Sequence, residues 1–467
     1  MQTGAQLLVA FTGYVTAVIV ARQLGPAAYG AYGMVYSVLL AFEIVGRLGL
    51  PQALTKLVAE RLEGRLAVER TGLTFGIALY LVLFGLFWLA APWLAHLLDV
   101  AEGAGLFRIA ALDIPFYGVL FMALAVLNGR GRYAVAALST TVYALAKLAG
   151  ILLLAWPGVT VEGALLVNAV GSAIGLATAG FALGTAAWRP AVSEARRLVA
   201  FAAPVSMRGV VLQLLSGLGL WSLGFAGSTI VPEEMRGLYA AAGSIARLPT
   251  VLAVGVAGVL IGGMASALGR RDRTAALSLL ANVMRALLVL LVPATLVLGV
   301  EAEGVMRLVF AERFAGGGPL LAVLVLGQGL LLTLLIVLTS ALVAASQAGL
   351  AAAVTAAGLA LAVMATWVMV PPYGAMGAAV ASTLGCGLAV AGAGLALTLR
   401  LGSWLSPAHM LRLTSACLPV AAVAALVPST GGWLFVELAG LGVLQLALLW
   451  ASGAVRPSDL RLLLGRR

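Results

Sequence analysis

Charged side chains inside long apolar stretches are the residues of this chain best suited to chemistry. Arg247 and Lys147 lie about ten and about thirteen residues into their apolar runs, which corresponds to about 15–20 Å at 1.5 Å per residue. A charge at the centre of a bilayer costs about 2.5–3.5 kcal/mol even on mild scales, so each is a candidate for function. The planar guanidinium of Arg247 can hold two phosphate oxygens at once, which favours anion binding. A structural ion pair is the alternative for both residues.

Three further arginines lie near the ends of apolar runs. Arg22 closes the first run, and Arg47 and Arg208 lie within a turn of the opposite membrane face. Each could reach a lipid phosphate at the membrane surface, or could line a cavity and bind an anionic substrate. We therefore retain Arg22, Arg47 and Arg208 as candidate substrate-binding residues.

Two acidic residues are candidates for ion coupling or for ion pairs. Glu43 precedes Arg47 by four residues, the better orientation for a helical pair, and could also take up a proton or release Arg47. Asp113 precedes Pro115 at what we expect to be the outer start of a span. We interpret Asp113 as an N-terminal helix cap, with a coupling role as the alternative.

The elements that position these residues follow from the composition. Of the 467 residues, 63% are hydrophobic and 10% are charged, whereas soluble domains are about 45–50% apolar and about one quarter charged. A helix needs about 20 apolar residues to cross a membrane, and the alternating pattern of a membrane β-barrel is absent from the sequence. We predict an all-α polytopic membrane protein with about 14 transmembrane helices. The runs are residues 5–21, 31–50, 71–95, 106–127, 134–156, 163–186, 205–225, 237–266, 275–299, 318–344, 350–370, 375–399, 412–427 and 433–452.

The basic residues predict an orientation. Most of the 28 Lys and Arg residues fall in segments that are cytoplasmic if the N-terminus is inside, which is the usual bias of membrane proteins. We therefore expect both termini in the cytoplasm. The net charge of +11 is explained by this bias and by anionic lipid, so no nucleic-acid partner is expected. Cys386 and Cys417 lack metal-ligand spacing, so no metal site is expected.

Internal similarity predicts two lobes. Residues 128–171 and 344–385 share an inner turn, an apolar run, an outer Pro-Gly turn and a Gly-Ala opening of the next run. An even number of spans separates the copies, which predicts parallel repeats related by an axis along the membrane normal. We predict two pseudo-symmetric six-helix lobes, at 1–200 and 201–410, followed at 411–467 by two additional helices and a basic cytoplasmic tail.

A charged segment lies between the second and third runs. Residues 54–70 predict one amphipathic helix on the inner membrane surface. Lys56 with Glu60, and Arg65 with Glu69, have the i, i+4 spacing of helical ion pairs. We expect this segment to be a structural gate or an anchor.

Six stretches of sequence carry a family resemblance. They are ARQLGPAAYGAYG (21–33), GLPQALTKLVAERL (49–62), FAAPVSM (201–207), ARLPTVLAVGVAGVL (246–260), GVMRLVFAERFAGGGPLL (304–321) and VPPYGAMGAAVAS (370–382). In these stretches the chain resembles the polysaccharide transporter family, the O-antigen-type flippases. That family belongs to the multidrug, oligosaccharidyl-lipid and polysaccharide exporter superfamily, and the resemblance runs nearly end to end.

The resemblance implies a central cavity between the lobes that opens alternately to either side of the membrane. It implies as substrate an oligosaccharide joined by pyrophosphate to a polyprenyl lipid, moved from the cytoplasmic to the outer leaflet. Basic residues at the end of the first span and within the second commonly line this family's cavity, which supports Arg22 and Arg47. We therefore expect a flippase rather than an enzyme, without a cofactor, acting as a monomer in a bacterial inner or archaeal cell membrane. The expected partners are the lipid-linked saccharide, membrane lipids, and a glycan polymerase or glycosyltransferases.

Three other functions stay open from the sequence. A peptidoglycan lipid-precursor flippase of the same superfamily would fit a basic cavity equally well. A multidrug exporter would be expected to carry a carboxylate in the first span, and residues 5–21 contain none. A membrane-embedded glycosyltransferase or polymerase would use the same lipid, but the sequence has no metal motif or paired carboxylates that would indicate one.

Overall fold

The computed structural model consists of helices joined by short connections in the part of the chain that it describes. It describes residues 2–47, 49–60, 64–189, 191–192, 195–404, 419–420, 440–444 and 447–448. No strand occurs in these residues, so the all-α prediction is confirmed. The predicted runs 412–427 and 433–452, and most of the predicted C-terminal segment 411–467, lie outside the described residues.

The chain divides into two compact units, Met1–Ala240 and Ala241–Arg467. The helices of the first unit are α1 (Gln2–Leu24), α2 (Pro26–Arg47), α3 (Leu50–Glu60), α4 (Arg65–Leu97), α5 (Gly103–Ala111), α6 (Asp113–Gly129), α7 (Tyr133–Ala155), α8 (Val161–Leu183) and α9 (Ala195–Ala226). Helix α10 (Glu233–Ala246) begins in the first unit and ends in the second, which continues with α11 (Leu248–Gly269), α12 (Arg273–Val300), α13 (Ala302–Phe310), α14 (Gly318–Leu324), α15 (Leu332–Ala344) and α16 (Ala348–Leu401). The lobes predicted at 1–200 and 201–410 stay a prediction.

Eleven helical segments among the described residues are long and apolar enough to cross a membrane. The longest, α16, has 54 residues, about 80 Å at 1.5 Å per residue, whereas the hydrocarbon layer is about 30 Å thick. It is broken at Gly374, where φ is 54°, a value that suits glycine, just after Pro371 and Pro372. Helix α16 can therefore supply two crossings. The first twelve predicted runs all fall on helices of this multi-pass membrane protein.

Three spans are interrupted in their interior. The breaks lie at Leu112 between α5 and α6, at Arg247 between α10 and α11, and at the π-helical turn Val325–Leu331 between α14 and α15. Asp113 consequently lies inside the span Gly103–Gly129 rather than at its outer start. The cap position of α6 is Leu112 and no side chain caps it, so the interpretation of Asp113 as a helix cap is wrong. Hydropathy does not reveal a break within an uninterrupted apolar run.

The segment predicted as one amphipathic helix at 54–70 is two elements. Helix α3 ends at Glu60, and Gly64, with φ of 76°, precedes the start of α4. The pair of Lys56 with Glu60 is present, with 3.6 Å between the ammonium nitrogen and a carboxylate oxygen. The prediction is therefore correct for the first half of the segment, while the second half begins a transmembrane helix.

A buried ion pair joins three helix ends of the first unit. The Nε and Nη2 atoms of Arg130, just after α6, donate to the carboxylate of Glu69 on α4, with 2.8 Å from Nε. Nη1 of Arg130 donates to the carbonyl of Leu183 at the end of α8, where a cation also complements the helix dipole. Because Glu69 is only 1% exposed, its charge depends on Arg130.

A second ion pair links α10 to the loop that follows α4. Nη2 of Arg236 lies 2.9 Å from the carboxylate of Asp99, which also accepts a hydrogen bond from the backbone N–H of Ser228. These donors hold the pKa of the Asp99 carboxyl below its ordinary value because they stabilise its charged form. The two pairs fix opposite ends of α4.

Replacing Arg130 by Ala is expected to destabilise the protein by about 3–5 kcal/mol, because the Glu69 carboxylate stays buried without its partner. The measurement is the midpoint of thermal unfolding of the purified protein in detergent. Adding Glu69→Gln should restore part of the loss, since it removes the unpaired charge. As a control, Lys56→Ala breaks an exposed pair and should change stability by less than about 1 kcal/mol. Equal effects of Arg130→Ala and Lys56→Ala would contradict the account.

Candidate functional site

Charged side chains from three helices, with a hydroxyl from a fourth, meet inside the first unit. We call this group the polar cluster. It consists of Glu43 and Arg47 from α2, Asp113 from α6, Lys147 from α7 and Ser172 from α8. Glu43, Asp113 and Lys147 lie within segments that can span a membrane, so the cluster places ionisable groups at membrane depth.

The carboxyl groups of Glu43 and Asp113 face each other, and we call them the carboxyl pair. Glu43 is 2% exposed and Asp113 is 3% exposed. One oxygen of each, Oε1 and Oδ1, accepts no hydrogen bond of ordinary geometry, and the fully buried Oγ of Ser172 lies beside the carboxyl group of Asp113. The carboxyl pair therefore has unused hydrogen-bonding capacity in a site that is closed to solvent.

Lys147 provides a positive charge next to the carboxyl pair. Its Nζ lies 5.8 Å from the ring centre of Tyr36 and 5.2 Å from that of Tyr143, and it donates to the hydroxyl of Tyr143 over 3.3 Å. It attracts Asp113 and Glu43 electrostatically. Ring faces and opposite charges together stabilise an ammonium group that the bilayer would otherwise disfavour.

Arg47 is held by aromatic rings. Its guanidinium carbon lies 5.4 Å from the ring centre of Tyr117 and 4.8 Å from that of Phe121, both on α6. Among the described residues, no ion pair joins Arg47 to Glu43, although the two charges attract. The predicted local salt bridge is thus replaced by ring contacts, which stabilise a cation without cancelling its charge.

The cluster has a sequence signal that was missed. Each contributing helix carries polar or aromatic residues four or seven apart, which places them on one helical face. These sets are Tyr32, Tyr36, Glu43 and Arg47 on α2, Asp113, Tyr117 and Phe121 on α6, Tyr143 and Lys147 on α7, and Asn168 and Ser172 on α8. Examining the charged residues one at a time did not reveal that the tyrosines and Ser172 share their helical faces.

Glycines allow the aromatic and charged groups to approach the helix backbones. The ring of Tyr80 on α4 packs directly on Gly118 of α6, and the side chain of Lys147 packs directly on Gly171 of α8. A methyl group at either glycine would overlap these side chains. The positions of Lys147 and Tyr80 therefore depend on missing side chains on the facing helices.

The other predicted cations lie apart from the polar cluster along the chain. Arg22 is exposed in the last turn of α1. Arg208 lies in α9, and its side chain is outside the described part of the structure. Arg247 lies in the second unit, at the break between α10 and α11, where its Nε donates to the carbonyl of Gly243 over 3.1 Å.

The surroundings of Arg247 are irregular in backbone structure. The side-chain oxygen of Gln328, from the π-helical turn Val325–Leu331, and Nη2 of Arg247 both lie next to Gly243. Gln328 is 3% exposed, and its Oε1 lacks a hydrogen-bond partner. Arg247 also occupies the cap position of α11, whose first N–H groups favour anions. The break thus collects several anion-compatible groups in one place.

The chain's first 267 residues match one family model, described as polysaccharide biosynthesis protein. This chain belongs to that family. The matched part contains every helix of the polar cluster and also Arg247. Among curated protein sequences, none matches this family member significantly.

Solved membrane transporters share the fold of this family member at low sequence identity. It is similar to the lipid II flippase MurJ in an inward closed conformation, with a TM-score of 0.79 and 14% identity over 95% of this chain and 96% of that one. It is also similar to an inward-facing multidrug resistance MATE family transporter of the MOP superfamily, with a TM-score of 0.69 and 14% identity over 86% of this chain and 99% of that one. A third is a MOP superfamily transporter from Pyrococcus furiosus, described as having a binding pocket of reverse polarity that suggests a different function. Its TM-score is 0.64, and the sequences are 15% identical over 86% of this chain and 95% of that one. The chain therefore has the fold of MOP superfamily transporters.

Adding a methyl group at Gly171 tests how tightly the polar cluster is packed. Gly171→Ala should lower the free energy of unfolding by about 1–3 kcal/mol, because the new Cβ overlaps the side chain of Lys147. Gly180→Ala, on the same helix, is the matched control, since a Cβ there meets only ordinary contact distances. Both are measured by thermal unfolding in detergent. Equal stability of the two variants would contradict the described packing of α7 on α8.

Proposed function

We propose that this protein is a flippase that moves a polyprenyl-pyrophosphate-linked oligosaccharide from the cytoplasmic to the outer leaflet. Membership of the polysaccharide biosynthesis family and the fold of MOP superfamily transporters support a transporter of this kind. The observation that carries the proposal for an anionic substrate is Arg47, a half-buried cation held by ring faces rather than by a carboxylate.

The physical problem posed by this substrate explains why buried cations are needed. Its pyrophosphate and sugars are excluded from hydrocarbon, while its polyprenyl tail is excluded from water. In our proposal the head group enters a cationic cavity between two lobes and the tail stays in lipid. The lobes move as rigid bodies in alternating access, opening the cavity inward and then outward. The membrane potential, negative inside, assists outward movement of an anion by about 2.3 kcal/mol per charge per 100 mV.

We assign the pyrophosphate to arginines in both halves of the chain. Arg47 and Arg247 would each hold phosphate oxygens through the planar guanidinium, and the cap position of Arg247 adds the dipole of α11. Arg22 and Arg208 are proposed to guide the head group at the ends of the pathway. Lys147 is proposed to act mainly through its charge, because its ammonium group is engaged by Tyr143. Glu43 and Asp113 are proposed as coupling residues.

A peptidoglycan lipid-precursor flippase is the second candidate. The structural similarity to the lipid II flippase MurJ favours it, and a lipid-linked pyrophosphate would meet the same arginines. A multidrug exporter is less favoured despite the similarity to MATE transporters, because α1 contains no carboxylate. The two flippase candidates share a lipid and differ in the sugar, so a choice between them depends on the head group.

We further propose the setting of this activity. The protein would act as a monomer in a bacterial inner or archaeal cell membrane with both termini in the cytoplasm, as the distribution of its 28 basic residues suggests. Glycosyltransferases that build the lipid-linked saccharide and a polymerase that consumes it would be its functional partners.

Purified protein in liposomes should accelerate transbilayer movement of a fluorescent polyprenyl-pyrophosphate saccharide. Arg47→Ala and Arg247→Ala should each lower the rate at least tenfold, because each removes a contact to the charged head group that is worth about 1.5–3 kcal/mol. The movement is followed as the gain in accessibility of inner-leaflet fluorescent head groups to an external quencher or enzyme.

The matched control is Arg270→Ala, which removes the same charge from an exposed position at the end of α11. It should flip the lipid at the wild-type rate. Wild-type rates from both Arg47→Ala and Arg247→Ala would reject the site assignment. Equal rates for empty and protein-containing liposomes would reject the function, and a preference for a lipid II analogue would select the second candidate.

A further inference from the structure

We propose that the carboxyl pair of Glu43 and Asp113 binds one exchangeable proton, and that this proton controls how strongly the polar cluster attracts an anionic head group. The inference rests on the proposed function for the nature of its ligand. The new element is that binding of the head group is coupled to binding of a proton.

The geometry of the carboxyl pair favours a bound proton. Two ionised carboxylates in contact repel each other, and burial at 2% and 3% exposure removes the water that would screen them. One proton between the two groups replaces repulsion by a hydrogen bond, as in other carboxyl dyads. The pair is built from α2 and α6, so the proton also joins two helices.

Ser172 gives the carboxyl pair a neighbour that suits either of its protonation states. Its hydroxyl is fully buried beside the carboxyl group of Asp113, while Oε1 of Glu43 and Oδ1 of Asp113 accept no hydrogen bond of ordinary geometry. A hydroxyl can donate to a carboxylate or accept from a protonated carboxyl group, so it suits both protonation states. Buried polar atoms are almost always hydrogen-bonded, and a shared proton is the smallest occupant that would bond to these two carboxyl oxygens.

The neighbouring ammonium group favours a proton over a metal ion. Lys147 attracts both carboxyl groups and would repel a metal cation bound between them. Within the described residues, no group of three or more His, Cys, Asp or Glu side chains is arranged to hold a metal ion. A shared proton needs only the two carboxyl groups already present.

The charges around the carboxyl pair balance in two different ways. The ionisable groups that face it are Tyr32, Tyr36 and Arg47 on α2, Tyr80 on α4, Tyr117 on α6, and Tyr143 and Lys147 on α7. The tyrosines are neutral, which leaves two cations. With one proton, the pair carries one negative charge that Lys147 balances, and Arg47 is left to attract an anion. Without the proton, the second carboxylate balances Arg47.

Proton binding and head-group binding are therefore linked with positive sign. Because linkage is reciprocal, a bound anionic head group raises the affinity of the carboxyl pair for its proton, and the proton raises the affinity for the head group. For one linked proton, affinity falls by up to about tenfold per pH unit once the pair begins to lose it. Release of the proton would help to expel the head group.

Binding of geranylgeranyl pyrophosphate to the purified protein, measured as a function of pH, tests the linkage. The pyrophosphate titrates on its own, so the quantity of interest is the ratio of wild-type affinity to that of Glu43→Gln, which is permanently neutral at one carboxyl group. We expect this ratio to fall by up to about tenfold per pH unit at alkaline pH. Asp113→Asn should behave like Glu43→Gln. Glu162→Gln, an exposed change on α8, should follow the wild type. The proposal would be overturned if the ratio of wild-type affinity to variant affinity did not change with pH for either Glu43→Gln or Asp113→Asn.

Infrared spectroscopy detects the proton without any ligand. The carbonyl stretch of a protonated carboxyl group should be present in the wild type at neutral pH and absent from Glu43→Gln and Asp113→Asn, whose folding is checked by their unfolding midpoints. Its absence from the wild type would also overturn the proposal. Flipping in liposomes with no proton linkage would reject this inference alone, whereas proton-linked binding without flipping would reject the proposed function alone.

Discussion

A charge within the hydrocarbon layer is tolerated only where neighbouring groups compensate it, and this constraint organises the first unit. Glu43, Asp113 and Lys147 come from three helices and compensate one another, while Arg47 is stabilised by the rings of α6. Each partner is far away in sequence. The constraint therefore fixes the rotation and the height of α2, α6 and α7 against each other, and Gly171 lets α8 approach the same centre.

The ends of the helices obey the same constraint by other means. Glu69 is buried on α4 and accepts hydrogen bonds from two nitrogens of Arg130. Arg236 is buried on α10 and forms an ion pair with Asp99. These pairs hold α4 at both ends. A first unit fastened in this way is suited to move as one body, which is what the proposed alternating access requires of it.

The sequence was sufficient for the spans and insufficient for the contacts between them. Twelve of the predicted apolar runs fall on helices, and the position of Lys147 in its run placed it correctly inside the span Tyr133–Ala155. Asp113 was misplaced because the break at Leu112 leaves hydropathy unchanged. The carboxyl pair could not be found from Glu43 alone, since its partner is on another helix. Polar and aromatic residues spaced four or seven apart on α2, α6, α7 and α8 were the usable signal.

The central claim is that Asp113 and Lys147 form one electrostatic unit within the polar cluster. A double-mutant cycle on the free energy of unfolding in detergent tests it most directly. Lys147→Met alone should be strongly destabilising because it leaves a buried negative charge, and adding Asp113→Asn should recover stability, giving a coupling energy of about 1–3 kcal/mol. Effects of the two substitutions that simply add would contradict the account.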